Sequence, residues 1–211
     1  MTDPHPAADK QLDRIVFFSD AIFAIAITLL VLEIRVPELE PARAAEELGG
    51  ALLALGPKYF SYLISFMAIG VYWTAHHRLF QYIVRFDRRL IWLNLLLMLC
   101  IAFLPFPTAV MGAYPTVPVA IVFYAVSIGV TGLVRVLVWW YAASGYRLLD
   151  PQTDPAIVRL ETERGLVTPL VFFASILIVP FSITLATLSW TLTLVLTLLL
   201  RQPHEPVHAK R

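Results

Sequence analysis

The chain has 211 residues, 59% of them hydrophobic and only 15% charged, with a formal net charge of +1 and a mean hydropathy of +0.75. Soluble domains carry about 25% charged residues, so this chain lacks the polar surface to cover itself in water. The near-neutral charge excludes a nucleic-acid-binding polycation, and a lone Cys100 excludes an internal disulfide.

The first fourteen residues, MTDPHPAADKQLDR, are polar, and the apolar run behind them is too long for the hydrophobic stretch of a cleavable signal. Stretches of about 20 apolar residues mark membrane-spanning helices. They fall at roughly 15–35, 58–80, 89–110, 116–142, 164–183 and 186–201, all within one domain, 1–211. The last two come from dividing a single long run near Pro180; undivided, it overshoots a bilayer, and proline supplies the break. Residues 41–55 mix helix formers with charges and read as an interfacial helix outside the spans. The C-terminal RQPHEPVHAKR reads as a disordered tail.

Basic residues then orient the spans. With both termini in the cytoplasm, twelve of the sixteen Lys and Arg lie inside, Arg78, Arg85, Arg88 and Arg89 among them. Only Arg35, Arg43 and Lys58 lie outside, and Arg135 falls within a span. This is the positive-inside distribution. Glu33, Glu38, Glu40, Glu46 and Glu47 crowd the outer end of the first helix, where they would concentrate cations. No internal repeat is evident.

The first span reads RIVFFSDAIFAIAITLLVLEI. A carboxylate at the centre of a spanning helix costs about 2.5–3.5 kcal/mol on insertion scales; Asp20, nearer the cytoplasmic end, costs less. It is read either as hydrogen-bonded to a neighbouring helix at interface depth or as functional. At about 100° per residue, Ile25, Leu29 and Leu32 share one face, Arg14 and Phe18 extend it inward, Thr28 lies beside it, and Asp20 points about 140° away. Taken alone, that aliphatic stripe is what lipid contact or helix packing ordinarily gives, and it does not single out a pore wall.

Trp73 and His77, four apart, share a face of the second span. Adjacent His76 and His77 diverge around a helix and have no further metal ligand at a suitable spacing, so hydrogen bonding is the simpler role. Asn94 reads as interhelical glue, and Arg135 as a side chain that snorkels or pairs with a carboxylate. Arg85, Arg88 and Arg89 sit in polar RFDRR, unlike a voltage sensor. HExxH, GxSxG, Walker and CxxCH patterns are missing, as is a TVGYG-type filter. The reading is a non-enzyme without cofactor or metal.

The ordered set RxxxFSD at 14–20 with AIFAIAITLLVLEI, WTAHHRLF at 73–80, and LNLLLMLCIAFLPFPTAVMG at 93–112 closely resembles the transmembrane protein 175 family of lysosomal-type potassium channels and their prokaryotic relatives. The resemblance implies an all-α integral membrane protein with six transmembrane helices per subunit, cytoplasmic termini, and a homotetramer around a central pore lined by the first helix. It implies a constriction at Ile25, further apolar layers at Leu29 and Leu32, and a hydroxyl layer at Thr28. It also implies a structural network of Arg14, Phe18, Ser19, Asp20, Trp73 and His77 around the first helix, although helical phase sets Arg14 on the Ile25 face. The expected function is a potassium-permeable cation channel in the cell (inner) membrane, with K+ ions, membrane lipid and sister subunits as partners and no nucleic acid. The competing expectations are a proton-coupled secondary transporter relaying through Asp20 and His77, and a non-conducting membrane scaffold.

Overall fold

The computed structural model describes residues 5–200, with side chains for all of these except 5–10 and 198. The described residues fold into nine α-helices joined by short turns. The tail after residue 200, with Arg201, Lys210 and Arg211, lies outside them.

Helix α1, His5–Leu29, runs into a 3-10 turn at Leu30–Glu33. It begins well before the expected residue 15, because AADKQLDR is polar yet rich in helix formers, and hydropathy registers only its apolar part. The interfacial segment is a helix, α2, Ala44–Ala54, supported by the Arg43–Glu47 ion pair one turn apart at 2.9 Å. It contains no buried residue. A bend of 44° separates it from α3, Gly56–Tyr82, whose start carries Pro57.

The third expected span, 89–110, is broken in two: α4, Arg88–Phe103, and α5, Pro105–Ala113. Pro105 and Pro107 have no amide hydrogen to continue the ladder across Leu104. Asp87 caps α4 by accepting the Leu90 amide at 2.8 Å. Next comes α6, Pro118–Ala143, with proline at its first position. Helix α7, Pro155–Ile178, starts nine residues ahead of expectation. Asp154 caps it, and its first turns, IVRLETERG, are helical but polar.

The expected break at Pro180 is present. Ser182 accepts the Leu185 amide to start α8, Ile183–Ser189, and α9, Thr191–Leu199, follows after Trp190. The Trp190 indole donates to Ser175 Oγ at 2.9 Å and stacks on Phe172, pinning the α8–α9 corner against α7.

By length and composition, Gln11–Glu33, Arg88–Ala113 and Pro118–Tyr146 can cross a membrane, as can the bent α2–α3 pair taken as one span. Tight packing concentrates between α6 and α7. A Cβ added at Gly129 would lie 2.8 Å from the Phe173 ring, and one at Gly132 2.8 Å from Pro169 Cδ. Small residues bring helix backbones together in this way where lipid supplies no hydrophobic drive. An isolated antiparallel bridge, Ile83 to Leu149, ties the α3–α4 turn to the α6–α7 connection.

Candidate functional site

The buried side of α1 alternates with an open one at helical spacing. Phe23, Ala26 and Leu30 are at most 1% exposed and anchor α1 in the core, chiefly against α3 and α4. Between them, Ile25 is 57% and Leu32 67% exposed, and Phe18, Thr28 and Leu29 are also exposed. Ala21 and Ala24 complete a small-and-aliphatic strip that runs the length of the helix. The phase argument from the sequence therefore holds as geometry: Ile25, Leu29 and Leu32 share the free side, while Asp20 turns toward α3.

Polar bonds fasten the other side. Ser19 is fully buried and donates to the Ile15 carbonyl at 2.8 Å, a back-bond that a spanning helix tolerates. Its oxygen accepts from Asn94 Nδ2 on α4 at 2.9 Å. Asn94 Oδ1 lies 2.9 Å from His76 Nε2 on α3, and because the amide group already faces Ser19, the histidine must be the donor. Phe23 and Phe80 flank the His76 ring. One turn away, the Trp73 indole donates to Asp20 Oδ1 at 2.9 Å, and His77 stacks on Trp73 with ring centroids 6.0 Å apart. Three helices are thereby joined around Ser19 and Asp20 of α1.

Of the residues expected in this network, Ser19, Asp20, Trp73 and His77 are brought together. Arg14 and Phe18 are not: both lie on the exposed side of α1, and Arg14 has no hydrogen-bond or ion-pair partner among the described residues. Two members, His76 and Asn94, were legible as buried hydrogen-bonding groups but not as links in one chain. What would have exposed them is register: His76 sits about one turn before Phe80 and three residues after Trp73, the partner of Asp20. The hydroxyl of Thr28 lies within 3.0 Å of the carbonyl oxygens of both Ala24 and Ile25, donating back to its own helix while its oxygen stays exposed.

Two cavities flank the ends of α1. One of about 320 Å³ touches Glu33, Arg35, Lys58, Ser61 and Tyr114 at the end expected outside. One of about 360 Å³ touches Asp13, Phe17, Asp20, His77 and Gln81 at the opposite end. In the α3–α4 turn, Asp87 is held under the usual carboxylate range. Burial alone would raise it, but hydrogen bonds from Tyr141 and from the Leu90 and Arg89 amides, with Arg147 nearby, outweigh burial.

Apolar helices, a core that buries one side of the first helix, and interhelical polar bonds on that side define a helical membrane protein. Comparison with known proteins names the family. Residues 14–105 match the family described as endosomal/lysosomal potassium channel TMEM175. A potassium channel of Streptomyces collinus is 37% identical over 88% of this chain and 87% of its own length. One from Chamaesiphon minutus is 40% identical over 69% of this chain and 72% of its own. The human endosomal/lysosomal proton channel TMEM175 is 33% identical over 88% of this chain, which spans 37% of that longer protein. The crystal structure of a lysosomal potassium-selective channel TMEM175 homolog from Chamaesiphon minutus superimposes with a TM-score of 0.79 at 32% identity, covering 92% of this chain and all of the other. The chain belongs to the TMEM175 family, and its class is that of ion channels.

Proposed function

We propose that this protein is a potassium-permeable cation channel whose pathway is lined by the open side of α1. The observation that carries the reading is the division of that helix: Phe23, Ala26 and Leu30 are sealed into the subunit, while Ile25, Leu29 and Leu32 are left without a partner. Six spans with both termini inside and four copies around a central axis let those strips face one another. The names of the Streptomyces and Chamaesiphon relatives support potassium as the ion.

In this account Ile25 forms the narrowest apolar ring, with Leu29 and Leu32 as outer layers. Rings of this kind close a pore by expelling water. A small dilation or rotation of α1 rewets the constriction, and K+ passes more readily than Na+ because it holds its hydration water less tightly. Thr28 hydroxyl oxygens, still able to accept, replace part of that water. The Ser19–Asn94–His76 and Asp20–Trp73 bonds do not conduct; they fix the rotation of α1 that presents Ile25. No TVGYG-type filter is needed, and no catalysis is involved. The bacterial relatives support a place in the cell (inner) membrane.

The curated human relative is named a proton channel, and Asp20 with His77 beside a cavity offers titratable groups near the pathway. Protons are therefore the second ion to measure. Protein reconstituted in liposomes with a K+ gradient should carry K+ flux above Na+ flux, without saturation and without a pH gradient. Flux that saturates and follows an imposed pH gradient would support proton-coupled transport instead. No flux from confirmed tetramers would leave a scaffold.

A further inference from the structure

At the end of α3 opposite α2, four charged side chains meet inside the helix bundle. Glu161 of α7 is fully buried; its Oε1 accepts from Arg164 Nη1 at 2.8 Å and lies 3.4 Å from Arg78 Nε. Arg164 also donates to the Leu200 carbonyl at 2.6 Å, tying down the end of α9. Arg135 of α6 comes to the same place. It is 4% exposed, and its Nη1 has no hydrogen-bond partner among the described residues. Gly165 leaves the space it occupies: a Cβ there would lie 2.5 Å from Arg135 Nη2. Among the described residues three guanidiniums thus face one carboxylate, whose second oxygen, Oε2, is also buried without a hydrogen-bond partner. A buried excess of positive charge is unfavourable unless something negative offsets it.

The arginines line a small cavity of about 10 Å³ with Tyr72, Thr168 and Thr197. That is room for one oxygen-sized group. Of the arginines that line it, Arg78 is the one with a third of its side chain exposed, and so marks the way in. Val71 and Thr168 also line a second, apolar groove between α3, α7 and α9, which continues along Ile64, Met67, Phe172 and Leu194. From Arg78 back to Ile64 the helix covers about 21 Å at 1.5 Å per residue. One leaflet of hydrocarbon is about 15 Å deep. The cationic pocket therefore adjoins the apolar groove, with Val71 and Thr168 in both walls, and the two together are long enough for a headgroup and an acyl chain.

We propose that this paired site binds an anionic phospholipid, one phosphate oxygen reaching toward Arg135 past Arg78 and an acyl chain lying in the α3–α7–α9 groove. Basic pockets between spanning helices select anionic headgroups by this chemistry. The topology set by the basic residues places the lipid in the cytoplasmic leaflet; the binding itself does not depend on that choice, nor on α1 lining a pore.

The test is native mass spectrometry of the purified full-length protein in detergent, titrated separately with dioleoyl phosphatidylglycerol, dioleoyl phosphatidylcholine and inorganic phosphate. Phosphatidylglycerol should be retained at least tenfold more tightly than phosphatidylcholine. Arg78→Gln, at the mouth, should reduce that preference several-fold. Leu194→Trp, which fills the groove and leaves every charge in place, should weaken both lipids. Arg135→Gln is informative only if it folds; Arg78→Gln and Leu194→Trp carry the test without it. Equal retention of the two lipids, or a preference untouched by both variants, overturns the proposal. Inorganic phosphate that competes fully at equal concentration also overturns it, by showing a free-anion site. So does cross-linking of the Arg78→Cys variant through that position to a neighbouring subunit, by showing a protein interface there.

Discussion

The amide of Asn94 donates to the hydroxyl of Ser19 across 2.9 Å, linking the middle of α4 to the one fully buried polar side chain among the described residues of α1. Because Asn94 is also bonded to His76, its loss orphans groups on two other helices. Buried polar groups left unpaired cost about 1–3 kcal/mol, although interhelical bonds in membranes average nearer about 0.6 kcal/mol. Asn94→Ala should therefore destabilise the detergent-solubilised protein by roughly 1 kcal/mol, read from thermal or denaturant unfolding. Ser19→Ala should cost less, and the double variant should fall short of the sum, since both remove the same bond. Additive losses would show that the bond contributes nothing.

Asp20 is bonded to Trp73 as an acceptor, which a neutral amide oxygen can replace. Asp20→Asn should melt close to wild type, and Asp20→Ala should be destabilised by about 1 kcal/mol. If the two variants melt alike, the carboxylate is not held by that bond.

Gly132 meets the Pro169 ring and the Tyr72 hydroxyl, neither of which has room to retreat. Gly132→Ala should cost about 1–3 kcal/mol by overpacking. Gly70→Ala, in the middle of α3 with open space around it, should be neutral or stabilising by up to about 1 kcal/mol through helix propensity. Melting temperatures of the pair separate packing from helix propensity.

Asp87 lies below its ordinary range in the folded protein. A depressed carboxylate contributes stability that is present above its unfolded value, about 4, and is lost as pH falls through the lower folded value. Asp87→Asn keeps the cap on Leu90 but has no charge to titrate. The stability gap between wild type and Asp87→Asn should hold near pH 7 and close as pH is lowered toward 3. A gap that does not change with pH would contradict this.

The sequence made the free side of α1 legible, because helical phase is local: 25, 29 and 32 must share a face whatever surrounds them. The break at Pro180 was legible for the same reason. The break at Pro105 was not, because PFPTAV is apolar and a hydropathy window runs across it. The start of α7 was missed because its first turns are polar, and polar helix looks like loop when only apolar runs are sought. The Ser19–Asn94–His76 chain joins residues 75 and 18 apart in sequence, and the Arg78–Arg135–Glu161–Arg164 cluster draws on three helices. Neither pairing has a local signature. Arg14 shows the converse: its motif position suggested a network, while its phase placed it on the free side, and the structure follows the phase.

The account rests on Ile25 forming the closed constriction. The most direct measurement is single-channel recording in planar bilayers of wild type and Ile25→Asn, with Leu185→Asn on exposed α8 as a control. A hydrophilic ring at the constriction should hold water, so Ile25→Asn should open far more often or conduct more K+ than wild type, while Leu185→Asn should match wild type. Unchanged or reduced current in Ile25→Asn, from protein that is folded and tetrameric, would contradict the account.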